Sequence, residues 1–128
     1  MLTRIFYVSA IAPGVTDVDM QVILGVAQVN NRRLDVTGML AQSDGHFVQV
    51  LEGRADAVSA LMKRIRADTR HGELRVLLEE PIVQRQFSRW AMGLIRRDDM
   101  SEQMHQLHRE GCADPAQARR LIRTLLAP

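Results

Sequence analysis

Short apolar runs bounded by turn residues predict five β-strands along the chain. They cover residues 3–9, 36–41, 47–51, 74–78 and 92–95. The first strand has a two-residue period, with Ile5, Tyr7 and Ser9 on one side and Phe6 and Val8 on the other. The Asp44-Gly45 pair predicts a hairpin between the second and third strands. Pro81 follows the fourth strand and is expected to stop it.

Four helices are predicted, over residues 16–30, 56–67, 101–109 and 114–126. Thr16, with Asp19 three residues further on, predicts a capping box at the start of the first helix, which is expected to run to about Asn30. The second helix repeats apolar residues at the three- and four-residue spacing of an amphipathic helix. Asp114 is the predicted cap of the last helix, with Pro115 in its first turn.

The order of these elements is strand, helix, strand, strand, helix, strand, followed by one more strand. This order predicts an α+β fold, a ferredoxin-like sandwich in which a mixed five-stranded sheet carries two helices on one face. The last helix has an apolar stripe, which the opposite face of the sheet would bury. We therefore expect residues 1–97 to form one domain and residues 98–128 to form a C-terminal helical extension packed on the sheet.

Composition makes several classes of protein unlikely for this chain of 128 residues. The formal charge is only +2 and the chain has one tyrosine, one tryptophan and three phenylalanines, so we expect no nucleic-acid binding. Charged residues interrupt every hydrophobic run, so we expect no membrane span. The single cysteine, Cys112, cannot form an internal disulfide, and the residues before the first strand include no apolar run of signal-peptide length. We therefore expect a cytoplasmic protein.

The third predicted strand contains an amide, Gln49, in the middle of a Phe-Val-Gln-Val-Leu run. A buried amide without partners costs roughly 1–3 kcal/mol, so Gln49 is either satisfied by a neighbour or kept for a ligand. Tyr7 can share the helix-covered face of the sheet with Gln49, and Asn31 would lie just above them. An isoalloxazine ring suits an apolar slot on which three such groups converge, although the fit is not unique to it.

Most of the candidate residues also have an explanation that needs no ligand. Asn30 and Asn31 could simply end the first helix, and only one of them is needed for that. Trp90 and Met92 could be packing residues. For Gln49 a functional role is favoured, because glutamine is uncommon inside a core.

Three motifs occur in order: Thr37-Gly38-Met39-Leu40, Gln49-Val50-Leu51-Glu52-Gly53 and Trp90-Ala91-Met92. Together with Tyr7 and Asn31, they closely resemble the BLUF family of blue-light receptors that bind flavin. The resemblance spans about residues 2–97. One departure is Ala91, which stands where the family commonly has serine.

On this resemblance the photoactive pair is Tyr7 and Gln49, with Trp90 and Met92 beside it. Light-driven transfer of an electron and a proton from Tyr7 would be followed by their return, leaving Gln49 rotated or tautomerised and the flavin spectrum slightly red-shifted. The signal would pass through the last strand to the C-terminal helices. The residues expected to contact a non-covalently bound flavin are Tyr7, Ile23, Asn30, Asn31, Gln49, Arg64, Ile65, Asp68, Arg70 and His71.

The charged members of this set have ordinary explanations as well. Arg64 could be a solvated side chain, and Arg70 and His71 could complement the dipole of the second helix. Arg64 and His71 would nevertheless supply charge-assisted donors to a flavin, and Asp68 a contact to its ring or ribitol.

FAD is the expected flavin. FMN and riboflavin remain alternatives, because the ring that all three share supplies most of the contacts. A photoreceptor of this kind turns over no substrate, so we expect no enzyme. We expect instead a downstream protein partner and a homo-oligomer.

Two other functions and a metal site are alternatives to this hypothesis. An acylphosphatase-like small hydrolase would use Asn31 and a nearby arginine, but no Gly-rich phosphate cradle precedes the first helix. A protein-interaction module without a ligand is the other function. His105, His108 and Cys112 have the spacing of metal ligands on one helix face, but Gly111 is expected to end the helix, and we favour no metal.

Overall fold

Residues 1–126, the part of the chain that the computed structural model describes, form five strands and four α-helices. Residues 127 and 128, the end of the predicted extension, lie outside the described residues. The strands are β1 (Leu2–Ile11), β2 (Thr37–Gln42), β3 (His46–Arg54), β4 (His71–Ile82) and β5 (Gly93–Arg96). The helices are α1 (Asp17–Leu34), α2 (Ala55–Ala67), α3 (Ser101–Glu110) and α4 (Pro115–Leu126). None of the described helices is both long and apolar enough to cross a membrane.

The strands form one mixed sheet in the order β4-β1-β3-β2-β5. All neighbours are antiparallel except β2 and β5, which are parallel. The predicted ferredoxin-like sandwich is therefore confirmed. The β1–β3 register places Tyr7 directly opposite Gln49. Because directly opposed residues project from the same face, this pairing brings the phenol and the amide together.

The two faces of the sheet carry separate cores. We call the face covered by α1 and α2 the slot face; it bears Ile5, Tyr7 and Leu51. The other, the tail face, bears Phe6 and Val8. Helices α3 and α4 cover the tail face, where the apolar stripe of the last helix was expected to pack. They contribute Met104, Leu107, Ala118, Ile122, Leu125 and Leu126.

Helix α1 is longer than predicted, because it ends at Leu34 and not near Asn30. Its C-cap is Asp35, in the left-handed conformation (φ 54°, ψ 43°), a region that aspartate tolerates better than most residues. The main-chain N–H of Asp35 donates to the carbonyls of Asn31 and Arg32. The explanation of Asn30 and Asn31 as the residues that end the helix is therefore wrong.

Strand β4 runs through Pro81 to Ile82, so the expectation that Pro81 stops it is also wrong. A proline without an N–H is tolerated because β4 lies at the edge of the sheet and pairs only with β1. Pro81 stands opposite Thr3, whose hydroxyl donates to the Glu80 carbonyl at 3.0 Å.

Local signals at the turns and helix starts are confirmed. Thr16 and Asp19 form the predicted capping box. The carboxylate of Asp114 accepts from the Gln117 N–H at 2.8 Å at the start of α4. In the predicted hairpin, the Ser43 N–H donates to the His46 carbonyl at 3.0 Å.

Candidate functional site

A cleft opens between α1 and α2 on the slot face. Its empty volume, including the open mouth, is about 820 Å³, which is the size range of small-molecule sites. All ten residues predicted to contact a ligand line it: Tyr7, Ile23, Asn30, Asn31, Gln49, Arg64, Ile65, Asp68, Arg70 and His71. The fold therefore brings together residues that are spread over more than half of the sequence.

Several apolar residues of the cleft were not predicted: Leu24, Val26, Ala27, Leu40, Phe47, Leu51 and Leu61. Helical spacing could have indicated Ala27, which lies one turn after Ile23. Strand alternation could likewise have indicated Phe47 and Leu51, which share a face with Gln49.

A chain of three buried side chains begins with Tyr7 and Gln49 in one wall of the cleft and ends at Met92 behind it. The Tyr7 hydroxyl donates to Oε1 of Gln49, and Nε2 of Gln49 donates to Sδ of Met92 at 3.2 Å. Tyr7, Gln49 and Met92 are 3%, 6% and 3% exposed. Because a thioether sulfur can only accept, Met92 favours this orientation of the amide.

Electrostatics keep the phenol of Tyr7 protonated. Burial raises the pKa of Tyr7 well above its usual value, and the negative charge of Asp68 raises it further. The hydroxyl therefore keeps its proton at ordinary pH and donates a hydrogen bond to Gln49.

Met92 and Trp90 occupy different environments although they are two residues apart. Met92 is buried against Gln49, whereas Trp90 is 36% exposed, and neither lines the cleft. The Trp90 carbonyl accepts from the Gly38 N–H at 3.0 Å. A side chain at position 38 would clash with the Val50 carbonyl, so the close approach of the Gly38 and Val50 main chains requires glycine.

Two amides of α1 hold the main chain that leads into β5. Nδ2 of Asn31 donates to the Ala91 carbonyl at 2.6 Å, and Nε2 of Gln28 donates to the Met92 carbonyl at 3.2 Å. The contact at Ala91 uses its main chain, so it does not depend on the serine that the family commonly has there. Gln28 was missed, although it lies one turn before Asn31 on the same helix.

Asp68 and Arg70 form a pair at the C-terminal end of α2. Nη2 and Nε of Arg70 donate to the two carboxylate oxygens of Asp68 at 2.7 and 2.9 Å. These hydrogen bonds lower the pKa of Asp68 and raise that of Arg70. The side chain of Arg64 is exposed and makes no hydrogen bond or ion pair with another residue of 1–126. Its guanidinium is therefore available to a ligand, whereas that of Arg70 is largely committed to Asp68.

Both ring nitrogens of His71 are used within the protein. Nε2 lies 2.6 Å from the Ile65 carbonyl and Nδ1 lies 2.8 Å from the Ser9 hydroxyl. Since a carbonyl only accepts, Nε2 must carry a proton. His71 therefore lines the cleft with its ring, and neither ring nitrogen is free to donate to a ligand.

Glu52 is another buried polar residue, and the sequence indicated it only as part of the Gln49–Gly53 motif. It is fully buried and accepts from Arg4 at 2.8 Å and from the main-chain N–H groups of Gln86 and Phe87 at 2.9 and 2.8 Å. These bonds fix the segment between β4 and β5 that leads to Met92. A glutamate in an apolar strand was the available signal, because a buried charge needs a partner.

Within residues 1–126, no group of three histidine, cysteine, aspartate or glutamate side chains is arranged to hold a metal ion. Helix α3 ends at Glu110, so Cys112 does not share a helix face with His105 and His108. The two histidine rings instead lie 5.4 and 5.0 Å from the ring of His46.

A family model described as "BLUF: Sensors of blue-light using FAD" matches residues 2–93. The chain therefore belongs to the BLUF family, and the resemblance seen in the sequence is confirmed. These residues form a blue-light-sensing domain that binds flavin, not a catalytic domain. This membership favours the photoreceptor over the small hydrolase and the ligand-free module.

Named relatives share this domain but are much longer. The chain is 35% identical over 92 residues to photoactivated adenylate cyclase subunit beta of Euglena gracilis, which is 71% of this chain and 11% of that protein. It is 31% identical over 105 residues to the blue light- and temperature-regulated antirepressor BluF of Escherichia coli strain K12, which is 78% of this chain and 26% of that protein. The chain thus spans only a small part of these relatives.

Solved structures of similar size match over nearly their whole length. The dark-state structure of BlrB, a BLUF protein, has a TM-score of 0.81 and 32% identity, covering 96% of this chain and 93% of that one. The photo-activated state of BlsA has a TM-score of 0.86 and 25% identity, covering 100% of this chain and 96% of that one.

Proposed function

We propose that residues 1–97 hold FAD in the cleft and that residues 98–128 pass the light signal to a partner protein. FAD is preferred to FMN and riboflavin because the family description names it. The antirepressor activity in the name of the Escherichia coli relative supports a protein partner for the output. We also propose a cytoplasmic setting, which suits a chain with a single unpaired cysteine.

The residues of the cleft fit a flavin. Its ring has two apolar faces and a polar edge of carbonyl and N–H groups. Ile23 and Ile65 offer apolar surface, and the amides of Asn31 and Gln49 offer both donors and acceptors. Arg64, without a protein partner within the described residues, is the proposed contact for a phosphate. His71 would contribute van der Waals contact with its ring.

A flavin bound here would absorb blue light and serve as a transient acceptor of an electron and a proton. Tyr7 is the proposed donor, because it is the chain's one tyrosine and lies in the wall of the cleft. Loss of an electron makes a phenol strongly acidic. The hydroxyl proton can therefore leave together with the electron although burial raises the pKa of Tyr7 in the dark.

Gln49 is the proposed store of the signal. In the structure its Oε1 accepts from Tyr7 and its Nε2 donates to Met92, and we assign this arrangement to the dark state. When Tyr7 transiently loses its proton, the amide loses this restraint and can rotate. The rotated amide donates to the phenol oxygen, which can also accept, and turns its own oxygen toward the Met92 sulfur, which cannot donate. The contact between Gln49 and Met92 is therefore strong in one state and weak in the other.

Met92 connects this switch to the C-terminal helices. It directly precedes β5, which pairs with β2 and is followed by a short 3-10 turn, Asp98–Met100, and then α3. The Arg97 N–H donates to the Gln42 carbonyl at 2.8 Å, so the end of this segment is tied to the sheet. A change in the position of Met92 would therefore be transmitted along β5 to the start of α3.

The observation that carries this proposal is the Tyr7–Gln49–Met92 chain, whose first two members lie in the wall of a ligand-sized cleft. It is tested by titrating flavin-free protein with FAD, FMN and riboflavin and following the quenching of flavin fluorescence. We expect Gln49→Leu to bind flavin without a lasting red shift after blue light, because the rotating amide is gone. The matched control is Val83→Ala, at a residue that is 98% exposed. Failure of all three flavins to bind, or a normal light response in Gln49→Leu, would overturn the proposal.

A further inference from the structure

Helix α1 has apolar side chains on the face turned away from the sheet. Its buried residues are Met20 and Asn31, which lie on the side of the helix that covers the slot face. Val18, Val22 and Val29 lie on the opposite side and are 73%, 54% and 54% exposed. These three valines, one and two turns apart, form what we call the valine stripe.

The valine stripe is unusual for this surface. Within residues 1–126, eight large hydrophobic side chains are exposed, and four of them, the stripe and Val26, lie on α1. Val26 also lines the cleft, so a bound ligand accounts for its exposure. The stripe has no such explanation. Valine is also a weaker helix former than alanine or leucine, so these side chains do not serve the helix itself.

The charges of α1 show which partner fits. Its first turn is acidic, with Asp17 and Asp19, and its last turn is basic, with Arg32 and Arg33. Both arginines are exposed, and neither guanidinium makes a hydrogen bond or ion pair with another described residue. Two copies of α1 lying antiparallel would place the acidic end of each beside the basic end of the other. A parallel pair would place like charges together, at a cost.

The centre of the stripe has room for a second helix. Gly25 lies between Val22 and Val29 on the outer face, and a Cβ built on it meets no atom within 4 Å. From Val18 to Val29 the stripe extends for roughly 16 Å along the helix. A small residue near its midpoint lets two helices approach closely where they cross.

We propose that a second copy of this chain docks on the valine stripe, through antiparallel pairing of the two α1 helices centred near Gly25. The contact is isologous, because each helix presents the same surface to the other. A pair of single helices buries less area than the roughly 1,200–2,000 Å² of a standard stable interface, so the dimer is weak and depends on concentration. The inference does not rest on flavin binding, although Val26 places the contact next to the cleft.

The first test is sedimentation equilibrium of the full chain over a wide range of concentrations. We expect the average mass to rise toward that of a dimer and Val22→Glu to weaken association at least tenfold. The matched control is Val83→Glu, which adds the same charge at another exposed valine and should associate like the wild type. A wild-type chain that is monomeric throughout, or equal association of the two variants, would overturn the proposal.

The second test addresses the antiparallel arrangement by reversing charges. Asp17→Arg and Arg33→Asp should each weaken association several-fold, because each brings like charges together in the dimer. The double variant should restore it. Circular dichroism checks that α1 remains folded in every variant. If the double variant associates more weakly than either single variant, the pairing is not antiparallel.

A third test locates the crossing point by disulfide formation in a Cys112→Ser background. Gly25→Cys should form a covalent dimer under mild oxidation, because two-fold symmetry brings the two positions together. Ser59→Cys, on the exposed side of α2, is the control and should remain largely monomeric. Equal cross-linking at the two positions would contradict a contact centred on Gly25.

Discussion

The slot face and the tail face are built by alternate residues of the same strands but differ in what they leave unfilled. On the tail face, Phe6, Val8, Val48 and Val50 are fully buried beneath α3 and α4. On the slot face, the residues between them leave a cleft of about 820 Å³ with Tyr7 and Gln49 in its wall.

The tail face therefore mainly serves stability, whereas the slot face provides the site for function. Close packing gives the tail face one favourable arrangement, because voids and strain are both costly there. The slot face instead contains the Gln49 amide, for which we propose two orientations: one bonds to both Tyr7 and Met92, and the other bonds to Tyr7 alone. Even so, no buried side-chain nitrogen or oxygen within residues 1–126 lacks a hydrogen-bond partner. The polar wall is therefore satisfied before any ligand binds.

The largest expected effect is on the slot face. Tyr7→Phe should bind flavin and fold normally but lose the lasting light-induced red shift completely, because no other phenol is present in the chain. The measurement is the absorption spectrum before and after blue light. A persistent shift of wild-type size in this variant would show that Tyr7 is not part of the mechanism. The assignment of the light response to the slot face would then lose its main support.

The opposite result is expected on the tail face. Ile122 is fully buried on α4, and Ile122→Ala should lower the free energy of unfolding by about 2–5 kcal/mol through the cavity it leaves. Chemical denaturation measures this loss. The light-induced shift should be unchanged under conditions where the variant is folded; its disappearance would show that the faces are not separate.

A buried charge provides a sharper comparison. Glu52→Gln leaves Arg4 without its closest partner and weakens the bonds to Gln86 and Phe87, so we expect a loss of about 2–3 kcal/mol in unfolding free energy. Glu79→Gln is the control, since Glu79 is exposed, and should change stability by less than about 0.5 kcal/mol. Equal effects would mean that Glu52 does not anchor the segment before Met92.

Met92 lies where the slot face meets that segment. Met92→Leu keeps the volume but removes the sulfur acceptor of Gln49, so stability should fall by less than about 1.5 kcal/mol. The light-induced state should still form, with a dark recovery rate changed several-fold, because the two amide orientations no longer differ at this contact. Met104→Leu, on the tail face, should recover at the wild-type rate. Identical rates in both variants would exclude Met92 as the link to the output.

The smallest effect concerns acid stability at the mouth of the cleft. Arg70 lowers the pKa of Asp68, so the pair stabilises the folded chain above the unfolded-state pKa of aspartate, near 4. This contribution is lost as pH falls through the lower, folded-state pKa. Asp68→Asn should cost about 1 kcal/mol or less at pH 7 and nothing below both pKa values. Unfolding curves at several pH values check this, and a difference that persists in acid would assign another role to Asp68.

Features set by neighbouring residues in the chain could be predicted from the sequence. The Thr16–Asp19 capping box is of this kind, as is the alternation that puts Tyr7 on the face of Ile5. The placement of Gln49 opposite Tyr7 was also accessible, since both lie in recognisable strands.

Features set by distant partners could not be predicted. Pro81 is tolerated because β4 is an edge strand, which depends on the order of the whole sheet. The different burial of Trp90 and Met92 depends on contacts with Gly38, Asn31 and Gln28 in other elements. Local sequence contains no information on these pairings.

The central claim is that the slot face binds a flavin whose surroundings Gln49 can rearrange. The most direct test is the light-minus-dark absorption difference of the purified wild-type chain loaded with FAD. We predict a small red shift of the flavin bands that forms on blue illumination and reverses completely in the dark. A flavin-loaded protein whose spectrum only bleaches, or does not change, would contradict the central claim.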